Sequence, residues 1–128
     1  MKYIFTFLLA FTISTPLLFS QTLGLDGIIA SIRNGNASAL STFFDKSVEI
    51  SMPDKSNGYS KSQAELVLKD FFRNNTVKNF EIIHKGENSG SQYCIGTLST
   101  KNGEFRTTIF MKEKGTGQVL QEIRFENR

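Results

Sequence analysis

From Phe80 onward the chain alternates apolar and polar residues in four stretches, separated by short turns that carry glycine, and this pattern leaves few folds open. Alternation is the signature of a strand with one buried face. Phe80 to His84 follows it, then Gln92 to Thr100, then Phe105, Thr107, Ile109 and Met111, then Val119, Gln121, Ile123 and Phe125. The turns are expected at Gly86–Gly90, at Lys101-Asn102-Gly103-Glu104 and at Gly115-Thr116-Gly117. Asn-Gly accepts the positive φ that a two-residue hairpin demands, so the central turn carries the strongest local signal. Connections this short join neighbours that run in opposite directions, which predicts an antiparallel meander.

A meander with one apolar face needs a cover, and the upstream sequence supplies it. Leu25, Ile28, Ile29 and Ile32 recur at helical spacing, and Asn34-Gly35 reads as the stop. Asn36 can cap a second short helix whose Leu40, Phe43 and Phe44 point inward. Val48, Ile50 and Met52 alternate as a strand that Pro53 ends, and Lys55 to Gly58 reads as a turn. Ser60 and Gln63 then have the spacing of a capping box. Behind it Ala64, Val67, Leu68, Phe71 and Phe72 form a broad apolar stripe, opposite Lys61, Glu65, Lys69 and Asp70. Glu65 and Lys69 are spaced for an ion pair along the helix. Asn74-Asn75 ends that helix.

The first twenty residues read as a segment apart. Met1-Lys2 is a positive start, Tyr3 to Ile13 is apolar except for Thr6 and Thr12, and Ser14, Thr15, Pro16 and Ser20 follow. That order describes a secretory signal peptide, expected to be cut after Ser20. The apolar run is shorter than the roughly 20 residues of a membrane-spanning helix, so a retained anchor is the weaker reading. No cysteine stands near the cut, which disfavours a lipid anchor. The expectation is therefore an exported protein, periplasmic or extracellular, with a signal peptide at 1–20 and one domain at 21–128.

Composition narrows the partners. The formal net charge is +3, but the two signs interrupt each other, as in Lys112-Glu113-Lys114. No basic run and no tryptophan occur, so nucleic acid is not an expected partner. Cys94 is the sole cysteine and cannot form an internal disulfide; a small buried strand residue is its simplest role. One histidine and one cysteine far apart give no zinc spacing, so no metal or other cofactor is expected. Gly-x-Ser-x-Gly and phosphate-loop patterns are absent.

Helix, helix, strand, helix and four strands is the order of an α+β cone, in which N-terminal helices pack on a curved, mainly antiparallel sheet. "GYSKSQAE", "DFF", "FEIIHKG", "YCIGTL", "GEFR" and "QEIRFE", in that order, resemble a family of small secreted bacterial proteins of unknown function with the nuclear transport factor 2-like, or cystatin-like, fold. The resemblance spans nearly all of the chain after Ser20. It implies the cone and no activity.

Three residues are candidates for lining a binding cavity. His84 is in phase with Phe80 and Ile82, which aims it inward or at a cavity mouth. Tyr93 is the nearest polar aromatic on the next strand. Tyr59, just before the capped helix, either lines the cavity or packs as a hydrophobic staple on Ala64 or Leu68. Catalytic residues are not evident. Isomerases that share the broader fold use an aspartate base, whereas Asp26, Asp45, Asp54 and Asp70 fall in helices or turns, and Glu81, Glu104 and Glu122 are out of phase with the apolar face. Arg106 and Arg124 are expected to pair across strands with Glu104 or Glu122, the alternative being a shared patch for an anion. The leading reading is a non-catalytic module for a small apolar ligand or a protein partner. The alternative is a lyase- or isomerase-type enzyme using His84, and a homodimer through the outer sheet face is the third.

Overall fold

A computed structural model describes residues 23–115 and 117–128. The expected signal peptide at 1–20, the start at Gln21-Thr22 and the turn residue Thr116 lie outside them. Three helices, α1 (Leu23–Arg33), α2 (Ala37–Ser41) and α3 (Lys61–Asn74), pack on six strands. The strands are β1 (Phe44–Ser51), β2 (Ser56–Ser60), β3 (Val77–Asn88), β4 (Ser91–Thr100), β5 (Gly103–Lys114) and β6 (Gly117–Asn127). In space they run β2-β1-β6-β5-β4-β3.

The expected meander is present as β3 to β6, each antiparallel to the next. α1 and α3 form for the expected reasons, while α2 is shorter than expected: it ends at Ser41, so Phe43 lies beyond it and Phe44 opens β1. α1 ends in a Schellman motif: Gly35 N–H donates to Ile32 O at 2.9 Å and Asn36 N–H to Ser31 O at 2.8 Å, with Gly35 at φ +61°. The Asn36 side chain then accepts from Ala39 N–H and opens α2. Ser60 Oγ accepts from Gln63 N–H while Gln63 Oε1 accepts from Ser60 N–H, completing the capping box of α3.

Four local expectations need correction. Lys55 to Gly58 is not a turn: the turn is Met52–Lys55, closed by Met52 N–H to Lys55 O at 2.7 Å. Ser56–Ser60 then returns as β2, antiparallel to β1. The turn after β3 is later than Gly86 and sits at Ser89-Gly90, both at positive φ. Asp45 is on β1 rather than in a helix or turn. Glu65 does not pair with Lys69; it accepts a hydrogen bond from Ser41 Oγ at 2.8 Å, fastening α3 to α2.

The pairing that matters most for topology is that of β1, which lies parallel to β6 and antiparallel to β2 and so extends the sheet beyond the meander. Its start is tied down by Asp45, which accepts from Lys114 Nζ at 2.9 and 3.1 Å and from Gln121 Nε2 at 3.2 Å. Those bonds, Lys114 first, hold the Asp45 carboxyl down at about 2.

One face of the sheet meets the helices. Ile28, Ile32, Leu40, Leu68, Phe80, Leu98, Ile109, Leu120, Ile123 and Phe125 are fully buried there. Where α3 crosses β5 and β6, Phe71 stacks on Phe125 with centroids 4.3 Å apart and meets Phe105 edge-on at 5.4 Å. Aromatic rings therefore occupy the place on the concave side where α3 lies over the strands. Cys94 is fully buried on this face, and burial pushes its thiol up, consistent with a packing role.

Candidate functional site

The opposite face of the sheet is laid out by register. One lateral row runs Tyr93, Phe110, Glu122, Glu49 across β4, β5, β6 and β1. The next runs His84, Ile95, Thr108, Arg124, Ser51 from β3 to β1. A third runs Glu81, Thr97, Arg106, Glu126 from β3 to β6. These residues alternate with the buried Cys94, Leu98, Ile109 and Ile123, so they turn away from the helices.

His84 enters this face because of a bulge. Ile82 pairs with Gly96 and His84 with Ile95, leaving Ile83 as an extra residue on β3. A bulge of one residue inverts the facing of everything after it. His84 is therefore exposed on the outer face, and the expectation that it shares the inward phase of Phe80 and Ile82 is corrected. The glycine opposite the bulge, Gly96, keeps the inner position between them.

The bulge also brings His84 to Tyr93. His84 Nε2 and Tyr93 Oη are 2.9 Å apart, and their rings are tilted with centroids at 5.6 Å. Tyr93 lies flat across Gly86, where a Cβ would collide with its ring, so only glycine at 86 admits this placement. Tyr59 is elsewhere. It sits on β2, paired with Val48, and its half-buried ring packs against the core before Ser60. The structure thus joins two of the three candidate residues and separates the third, in a position suited to the staple.

Beside the His84–Tyr93 pair is a groove of about 560 Å³ lined by Ile83, His84, Ile95, Arg106, Glu126 and Arg128, with Asn127 at its rim. Ile83 is 58% exposed. Arg128 donates to Thr97 Oγ1 at the groove's edge. Arg106 forms no ion pair among the described residues, so the expected cross-strand pairing is not made. Arg124 does pair with Glu122, at 2.8 Å, but along one strand rather than across two, and it leans over the Phe110 ring. A second recess, of about 710 Å³, lies across Phe110 and is acidic, with Asp45, Glu49 and Glu122 in its wall.

The sequence pointed to Arg106 first as a cross-strand ion-pair partner and secondly as part of an anion patch with Arg124, and it left Ile83 and Ile95 unremarked. The signal for Ile95 was available, since it is the apolar residue out of phase in Tyr93-Cys94-Ile95-Gly96. The same signal was present at Ile83, which is out of phase with Phe80 and Ile82; what the bulge alters is the facing of His84.

Among the described residues, no group of three His, Cys, Asp or Glu side chains is placed to hold a metal ion. No helix among them is long and apolar enough to cross a membrane.

No curated protein matches this chain. Solved structures do. A DUF4783 family protein from Bacteroides ovatus is similar at 29% identity with a TM-score of 0.78, over 80% of this chain and 93% of that one. A DUF4783 family protein from Bacteroides uniformis is similar at 30% identity, also with a TM-score of 0.78, over 80% and 95%. An NTF2-like protein of unknown function from Cytophaga hutchinsonii shares only 7% identity, yet has a TM-score of 0.63 over 87% of this chain and 92% of that one. The last likeness concerns the fold alone, and it is the α+β cone that the order of elements implied. The sequence pattern of one family matches residues 25–126, from inside α1 to the end of β6. The chain therefore belongs to the family described as Domain of unknown function (DUF4783), with an NTF2-like fold.

Proposed function

We propose that this chain is an exported, non-catalytic binding module that holds a small apolar ligand in the groove beside His84 and Tyr93. The observation that carries the reading is the groove itself: about 560 Å³, floored by Ile83 and Ile95 and edged by a few polar groups. Small-molecule sites are concave, mainly apolar and marked by a small number of placed polar side chains. The concave side supports the choice of face, because Phe71, Phe105 and Phe125 occupy it under α3. Acid–base catalysis needs a tuned group with an orienting partner. Among the described residues, the His84 ring bonds to Tyr93 and to no carboxylate. Export rests on the order of charge, apolar run and small residues in 1–20.

Native mass spectrometry of the protein purified from the envelope of the cells that make it tests both parts. The expected spectrum shows a polypeptide starting at Gln21 with a non-covalent small-molecule mass, and Ile95→Glu removes that mass. A chain retaining Met1 overturns export. A chain that carries no small molecule under gentle ionisation overturns the binding reading. The His84–Tyr93 hydrogen bond also favours a second reading, a lyase- or isomerase-type enzyme in the same groove. Turnover of the retained molecule, abolished by His84→Ala alone, would establish that reading instead.

A further inference from the structure

We infer that the ligand class of this groove is an amphipathic monocarboxylate: an apolar body with one negative charge at its end. The inference rests on the groove being the binding site. Three observations lead to it. The first is the apolar floor, where Ile83 stands 58% exposed beside Ile95. Water meets both side chains unless an apolar body covers them, and covering them releases that water. The second is Arg106. Its guanidinium lines the groove and forms no ion pair among the described residues, although Glu126 is its register partner on β6. A guanidinium offers parallel N–H donors that match a carboxylate in a fork-to-fork geometry. The third is the neighbour of Arg106. Glu126, the acidic side chain of the lining, is its register partner on β6. A carboxylate brings one negative charge up to Glu126, whereas a dianion such as a phosphate monoester brings two and is repelled more strongly.

The polar pair completes the site without chemistry. The bond between Tyr93 Oη and His84 Nε2 fixes the His84 ring at the groove wall. Held there, it bounds the site on the β3 side, while Arg128, held by Thr97, bounds it near the end of β6.

The test follows the isoleucine methyl groups by NMR in the full chain after Ser20, near neutral pH, with three probes of equal tail length. These are decanoate, decanol and decyl phosphate: a monoanion, a neutral molecule and a phosphate monoester that, with its second pKa at about 6, is mainly a dianion. Decanoate is expected to shift the Ile83 and Ile95 methyl signals saturably. Arg106→Ala should weaken it by about tenfold, the order expected for a hydrogen bond to a charged group. Arg106→Lys should recover part of that loss, and decanol should bind at least about tenfold more weakly than decanoate. Arg106 is exposed, so folding of each variant is checked by its unchanged methyl spectrum without probe. If decanol or decyl phosphate binds as tightly as decanoate, or Arg106→Ala binds decanoate as the parent does, the monocarboxylate class is wrong while the groove still binds. If no probe moves these methyl signals but native mass spectrometry shows a retained molecule, the class again fails alone. If neither experiment shows binding, both readings fall.

Discussion

Ser60 does two jobs in adjacent residues. Its backbone is the last of β2, paired with Ser47, and its hydroxyl caps α3. The reciprocal bond from Ser60 N–H to Gln63 Oε1 satisfies a second donor, so the chain passes from strand to helix with no loop between them. Ser60→Ala removes the acceptor for Gln63 N–H and should lower stability by about 1 kcal/mol. Chemical denaturation measures this directly; an unchanged midpoint would mean that solvent replaces the cap at no cost. This residue was legible from sequence because a capping box is a local code, written within four positions. His84 was not. Its facing depends on whether β3 accommodates one extra residue opposite Gly96, and nothing between Phe80 and His84 records that choice.

Among elements, legibility followed the strength of the local pattern. α3 and the meander carry long apolar periods and were expected where they are found. β2 was read as a turn because Ser-Asn-Gly-Tyr-Ser is short and polar, with only Tyr59 half-buried. It is a strand because β1 offers an unpaired edge, a long-range cause that local pattern does not contain. The parallel pairing of β1 with β6 is of the same kind, and Asp45 is its fastening. The Asp45 side chain is only 13% exposed, and its carboxyl is held at about 2, below the ordinary 3.8, chiefly by Lys114. A carboxyl lowered on folding contributes stability above its unfolded value, and that stability is lost as pH falls through the folded value. Between pH 5 and pH 2, then, the parent chain should lose more thermal stability than Asp45→Asn, which cannot titrate there. Parallel melting curves for the two over that range would remove Asp45 from this role. Raising the salt concentration should weaken the fastening less than it weakens the Arg73–Asp70 pair, because Asp45 is partly shielded and also held by Gln121, whereas both Arg73 and Asp70 are exposed.

At the scale of the whole molecule, the sheet divides the protein into a packed side and an open side, and this division is what the sequence pattern left undecided. Alternation tells which residues share a face but not which face holds a cavity. The apolar composition pointed to a ligand inside the cone. The structure instead places Phe71 against Phe125 and Phe105 beneath α3, and sets the groove with Ile83 and Ile95 on the far side. The two sides make opposite demands on a large-to-small substitution. Phe71 is buried to 8% exposure within this aromatic cluster, so Phe71→Ala should cost about 3–5 kcal/mol by lost transfer energy and by the cavity it leaves. Denaturant titration measures the cost, and Phe71→Leu serves as the milder variant if the alanine form does not fold. The vacated space is apolar and dry, so the variant should acquire a weak site for benzene that the parent chain lacks. Ile95→Ala, at a half-buried strand position on the open side, should cost only about 1 kcal/mol, while still weakening ligand retention. A parent chain that already binds benzene under α3, or an Ile95→Ala chain as unstable as Phe71→Ala, would show that the division between packed and open sides has been drawn on the wrong face of the sheet.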